Sequence, residues 1–269
     1  MAVVAAVALA AAGVGVGVVV SGGSGSTVSS VPSSAPSSAT SQLLRAAVAA
    51  ARGAGSFHYV ATSTVSGANG YSQRTVGDAG ANSGRQDITV GAQRFTVLVV
   101  GAACYLKGNA PALTANLGLS SSEASSHVGQ WISLARTDAP YAAVYAAVTA
   151  SSALTDNITI KPEDQLPTAR LDGRRVLTIT GTIAPIEIGG QSIAPKGTAT
   201  LAVRAAAPHL PVRYAERGTQ GRQRSVSAVT FSRWGETVQV TAPTGAVTYA
   251  SLGVGSGTVP STPNGTVLT

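Results

Sequence analysis

The order of apolar and polar positions divides the chain into segments of different kinds. From Ala2 to Val20 every residue is Ala, Val, Leu or Gly. At 1.5 Å per residue, about nineteen such residues reach across a hydrocarbon core. A globular core helix of that length would show a polar face, and this run has none. It is read as a signal peptide or a single transmembrane anchor over 1–20. Residues 21–41, rich in Ser, Gly and Thr with Pro32 and Pro36, lack apolar content and predict a flexible linker. The same chemistry over 252–269, with Pro260 and Pro263, predicts a disordered tail. A single folded domain is left over 42–251.

Inside that domain the periodicity changes twice. A helix from Ser41 to Arg52, with Ser41 as N-cap and Gly53 as its stop, puts Leu44, Val48 and Ala51 on one face. Alternating runs follow, and they predict strands at Phe57 to Val65, Tyr71 to Val76, Gln86 to Val90, Arg94 to Val100 and Cys104 to Lys107. The middle is Ala- and Ser-rich, from Ala110 to Val128 and from Ala139 to Leu154. In the second stretch Tyr141, Val144, Tyr145 and Val148 fall at i, i+3, i+4 and i+7, one apolar face of a helix. A short strand, Gln130 to Leu134, separates the two. Alternation returns at Arg175 to Ile183, Thr198 to Arg204, Pro211 to Arg217 and Ser225 to Arg233, with Val238–Val240 as a closing edge.

No strand–helix–strand rhythm is present, so the sheet should be antiparallel. The fold class is α+β: strands, two gathered helices, then more strands. Such a sheet buries one face against its helices. Helices built from Ala, Val and Tyr fill a wide curved sheet only in part, so an internal apolar cavity and a fully packed core are both consistent with the pattern.

Composition sharpens this in three ways. Only 4% of the 269 residues are aromatic, so the core must be made of small side chains. The formal net charge is +7, nearly all from scattered Arg, which favours anionic partners in general or a solvated basic surface. Stacking aromatics interleaved with basic residues are confined to Arg213-Tyr214 and Arg233-Trp234, which argues against nucleic acid. The one cysteine, Cys104, lies in the apolar run Ala102 to Leu106 and reads as an inert core residue. His58, His127 and His209 stand apart in sequence, and no His/Cys/Asp/Glu spacing matches a metal site. No nucleophile elbow or phosphate loop occurs in the domain. A non-enzymatic, cofactor-free protein is the expectation; a hydrolase would need one of these histidines to meet a carboxylate. Asn157 and Asn264 head glycosylation acceptor patterns, of the number expected by chance in a Thr-rich chain.

The first charge in the chain is Arg45, whereas an export signal normally opens with a positive residue. The expectation is a start codon upstream of Met1. The exit at Val20-Ser21-Gly22-Gly23-Ser24 is small enough for a signal peptidase but lacks a clear A-x-A pattern, so cleavage is left open.

Several stretches carry a resemblance: Gly101-Ala102-Ala103-Cys104-Tyr105-Leu106-Lys107-Gly108-Asn109, Gly129-Gln130-Trp131-Ile132, Leu210-Pro211-Val212-Arg213, and Val229 to Gly235 leading to Val238-Gln239-Val240-Thr241-Ala242-Pro243. Together they resemble actinobacterial envelope lipoproteins of the LprG/LppX type, a family similar in fold to the lipoprotein carrier LolA. The resemblance spans about Ser41 to Ser251. It implies an antiparallel half-barrel curled around helices, with an apolar pocket for lipid or lipoglycan acyl chains and no catalytic residue or cofactor. A monomer at the outer face of the plasma membrane, or released into the envelope, is expected. The family's lipidated cysteine is missing, since Ser21-Gly22-Gly23 stands in its place. The tether is then the uncleaved apolar segment, or there is none.

Inward-facing positions would line such a pocket: Val97, Val99, Leu177, Ile179, Leu201, Val203, Val212, Tyr214, Val229 and Phe231, with Tyr141 and Val144 from the second helix. Each is equally an ordinary core residue. A non-transporting envelope interaction or structural module with the same fold and a collapsed core is the alternative.

Overall fold

A computed structural model describes residues 38–67, 70–146, 148–150, 153–154, 158, 160–163, 167–184, 186–188, 191–193 and 196–253. The apolar first segment, the linker up to residue 37, Asn157, Asn264 and the tail beyond Gly253 lie outside them.

The opening helix, α1, runs Ala39–Ala54. It begins earlier than the pattern predicts because the side chain of Ser38, not Ser41, accepts the backbone N–H of Ser41 at 3.2 Å. It ends later because Gly55, at φ +73°, takes the left-handed turn that Gly53 does not. Ala47 and Ala51 form its buried face.

Strands β1 (Phe57–Ser66), β2 (Tyr71–Ala79), β3 (Ser83–Val90), β4 (Gln93–Val100) and β5 (Ala103–Gly108) make a meander. The first Ala/Ser-rich stretch is two helices rather than one: α2 (Ala110–Leu117) and α3 (Ser121–Ser126). Gly118 ends α2 at φ +69°, and Ser120 starts α3 with a reciprocal capping box to Glu123. After β6 (Ile132–Leu134), α4 covers only Tyr141–Ala146, and helical backbone returns at 150 and 153–154. The second half holds β7 (Ile160–Pro162), β8 (Thr168–Leu171), β9 (Arg174–Ile183), β10 (Ile186–Ile188), β11 (Gln191–Ile193), β12 (Lys196–Arg204), β13 (Pro211–Gln220), β14 (Gln223–Ser232) and β15 (Val247–Thr248).

Among the described residues, thirteen strands form one open sheet along the path β15-β6-β5-β4-β3-β2-β1-β14-β13-β12-β9-β7, with β8 also on β9. The antiparallel half-barrel expected from the sequence is what this sheet makes: a curled open sheet with a few helices against it. Pairing is antiparallel throughout except where β15 joins β6. The strands β10 and β11 form a separate ribbon. Val238–Val240 does not act as a closing edge strand. Residues 236–243 make no ladder, and cross the outer face of the sheet as an extended strap before β15.

One face of the sheet is apolar and carries the helices. Across β9, β12, β13, β14 and β1 it presents Ile179, Leu201, Tyr214, Val229 and Ala61 in one row, and these pack with Ala47 and Ala51 of α1. Across β4, β5 and β6 it presents Val97, Leu106 and Ile132, which meet Leu113 and Leu117 of α2 and Val144 of α4. The interior is thus two apolar clusters side by side on one sheet.

Candidate functional site

The alternation of each strand decides which side chains the inner face presents, and it places most of the predicted lining residues there. Ile179, Leu201, Val203, Tyr214, Val229 and Phe231 lie in the first cluster, with Leu177 partly buried against it. Val97, Val99, Tyr141 and Val144 lie in the second. The exception is Val212. The register shifts between Ala202 and Val203, so Val203 pairs with Pro211 and Ala202 with Arg213, leaving Val212 half-buried at a bulge. Ile179, Leu201, Val203, Tyr214, Val229 and Val99 are all 0% exposed. A space able to admit water would expose its walls, so these six side chains face neighbours and not a void.

The inner face also holds polar groups that the sequence reading missed. Glu216, Ser227, Ser63 and Gln73 follow one another in a single register across β13, β14, β1 and β2, and all are buried. Tyr214 Oη donates to Glu216 Oε2 at 2.7 Å, and Ser63 and Ser227 share a hydrogen bond of 3.0 Å. Next to them Gln73 Nε2 donates to Thr75 Oγ1 at 3.3 Å, and Gln86 Nε2 donates to the hydroxyl of Tyr59. The alternation that points Tyr214 inward requires the same of Glu216 two residues on; a strand reading that tracks only apolar positions passes over it. The inner face is therefore apolar at the Phe57 end and polar toward the β13–β14 turn.

Among the described residues, clefts open on the outer face of the sheet. The first, about 420 Å³, lies under the strap between Phe57, His58, Asp78, Arg85, Leu98, Arg233 and residues 236–241. Ser232, His58, Asp78, Arg85 and Leu98 form one row across β14, β1, β2, β3 and β4. His58 does meet a carboxylate: its Nδ1 is 2.8 Å from Asp78 Oδ1, and Arg233 Nη2 donates to the same oxygen at 2.8 Å while also closing on His58. Arg233 occupies both neighbours from a left-handed backbone at φ +51°. Ser56 Oγ donates to the Glu236 carbonyl at 2.6 Å, and Ser83 Oγ to that of Val238 at 3.4 Å, which pins the strap down. The other histidines are apart: His127 pairs with Gln130 and His209 with the Arg204 carbonyl. Among the described residues no group of three or more His, Cys, Asp or Glu side chains is placed to hold a metal.

Cys104 is fully buried in the second cluster, and burial pushes its thiol up to about 12. It is a packing residue.

No family model matches the chain, and no curated protein matches it significantly. Solved structures similar to it include the Mycobacterium tuberculosis lipoprotein LppX, at 18% identity over 76% of this chain and 98% of that one, with a TM-score of 0.43. A LolA superfamily protein of Nitrosomonas europaea matches at 12% identity over 72% and 91%, with a TM-score of 0.28. MucB, in its complex with MucA, matches at 14% identity over 81% of this chain and 60% of its own, with a TM-score of 0.30. Likenesses this distant carry no functional argument. The geometry has to.

Proposed function

We propose that the chain is a non-catalytic, extracytoplasmic lipid-binding protein that holds the acyl chains of a lipid or lipoglycan against the inner face of its half-barrel. One observation carries this reading. Among the described residues, a broad apolar sheet face is covered by separate helices of 16, 8, 6 and 6 residues rather than by a second sheet. Short covering elements separate from a sheet at lower cost than a second sheet would, so an acyl chain can take their place against Val97, Val99, Leu201 and Val229. The polar register at Glu216, Ser227, Ser63 and Gln73 then offers hydrogen bonds at one end of an apolar groove. Actinobacterial envelope membership of the LprG/LppX kind, tethering by the apolar first segment and a monomeric state belong to the same proposal.

The test is chemical. Organic extracts of protein purified from its own host are expected to contain acyl lipid by mass spectrometry, and a fluorescent fatty acid is expected to bind and be displaced by it. Empty extracts together with no probe binding would end the carrier reading.

The complete burial of Ile179, Leu201, Val203, Tyr214 and Val229 favours a second reading, a membrane-tethered interaction or structural module with a permanently packed interior. Amide exchange separates the two: a carrier exchanges α2 and α4 much faster than β1 and β14, whereas a packed module protects them alike.

A further inference from the structure

The second cleft, about 460 Å³ and open to solvent, lies between β2–β5 and the turn at 127–130. Its walls include Arg74, Arg94 and Lys107 against one carboxylate, Asp87. The strand register gathers these cations: Arg74, Thr89 and Arg94 form a row across β2, β3 and β4, while Lys107 stands beside Thr96 on β5. Two strand spacings set Arg74 and Arg94 roughly 10 Å apart.

Asp87 offsets only part of this charge, through its attraction to Lys107, because it is already engaged. Arg85 donates to it twice at 3.1 Å, and Thr96 Oγ1 once at 2.7 Å. Among the described residues, the guanidinium groups of Arg74 and Arg94 have no acidic or hydrogen-bonding partner. Asn109, which caps the N-terminus of α2, forms another part of the wall and brings the positive end of that helix to the cleft. At the rim Val128 is 51% exposed, and the ring of Trp131 lies 4.7 Å from Lys107 Nζ.

We propose that this cleft docks the domain onto an anionic bilayer, with headgroup phosphates among Arg74, Arg94 and Lys107 and Val128 at the boundary with the acyl region. Cations alone would suit any polyanion. The apolar Val128 and the aromatic Trp131 beside them suit an interface that is charged on one side and apolar on the other. The proposal deepens the lipid-carrier reading. The docked edge is next to α2 and α3, which cover the second cluster, so the cover nearest the membrane is the one that must part to load a chain.

Cys104 is fully buried, so Val128→Cys in the full chain can be labelled selectively with a polarity-sensitive fluorophore; Val226→Cys, at an exposed position of β14, is the control. With phosphatidylglycerol vesicles the expected result is a blue shift at 128 and none at 226, weakened by salt and absent with phosphatidylcholine. Replacing Arg74, Arg94 and Lys107 together by Gln should weaken binding about fivefold per charge, on the order of a hundredfold in all. Removing three cations elsewhere on the face, at Arg213, Arg217 and Arg224, should cost far less. Equal shifts at 128 and 226, equal binding to both lipids, or an unaffected triple variant would overturn the proposal. So would heparin binding as tight as vesicle binding with no shift at 128, which would assign the cations to a soluble polyanion. Fatty-acid uptake is measured on the same variants without vesicles. Uptake without docking removes this proposal alone, and docking without uptake removes the carrier reading alone.

Discussion

Replacing Gly77 by Ala tests whether the inner face is as tightly closed as its burial implies. Gly77 is directly opposite Tyr59 on the neighbouring strand, and the Tyr59 ring lies across it. An added methyl would meet Cε1 at 2.6 Å and Cζ at 2.7 Å. Carbon atoms normally approach to about 3.5–4.0 Å, so the ring would have to retreat by roughly 1 Å. It has little room, being 2% exposed, 5.7 Å from the Phe57 ring, and hydrogen-bonded to Gln86. Overpacking of this kind costs about 1–3 kcal/mol. Removing a glycine from a strand interior returns about 0.5–1 kcal/mol. The expected net effect is a loss of about 1–2 kcal/mol. In a Tyr59→Ala background the steric term vanishes, and the same Gly77→Ala change should be neutral or stabilising by up to about 1 kcal/mol. Urea unfolding followed by the fluorescence of Trp131 and Trp234, compared at constant m-value, reads all four corners of the cycle. Equal effects of Gly77→Ala in both backgrounds would refute the argument, since the ring would then have space to move.

Thiol labelling of the folded chain at Cys104 should be negligible over minutes in which urea-unfolded chain reacts completely; rapid labelling without denaturant would show that the second cluster opens readily. Ser120→Ala should cost about 1 kcal/mol through loss of the α3 cap. Hydrogen bonds from the Ser120 side chain and backbone hold the Glu123 carboxyl below its ordinary range, so the same variant should raise it in an NMR titration. Partial burial would raise the Asp87 carboxyl, but hydrogen bonds from Arg85 and Thr96 and the charges of Arg85 and Lys107 outweigh it and hold the group low. Its contribution is therefore present above the unfolded value of about 3.9 and lost as pH falls through the lower folded value. Asp87→Asn should flatten that part of the acid-unfolding curve; an unchanged slope would refute the assignment.

Strand existence was legible wherever Val, Ile, Leu or an aromatic residue alternated with Thr, Ser or Arg, as at Phe57–Ser66 and Gln223–Ser232. Those are local, period-two signals. The broken middle helix was legible only in part, because Gly118 and Ser120 lie within an Ala/Ser run whose helical propensity masks the stop. Val238–Val240 alternates like a strand but finds no edge to pair with, since the edge at β6 is taken by Val247–Thr248. The inner-face side chains followed from alternation until a bulge intervened at Val212. The His58–Asp78–Arg233 constellation and the gathering of Arg74, Arg94 and Lys107 could not be read from the chain. Both depend on which strands become neighbours and in what register, and residues 155 positions apart, such as Asp78 and Arg233, meet only through that pairing.

The pairing of β1 with β14 stitches the two halves of the sheet together at its centre, joining His58 to Ser232 and Ser66 to Arg224. Each half can form by local hairpins, but this seam requires residues at both ends of the domain at once, and such long-range closure is slow. During synthesis from the N-terminus, β1 is complete long before its partner and waits until β14 follows. The topology thus acts as a timer: the half-barrel closes only once the last third of the domain has been made.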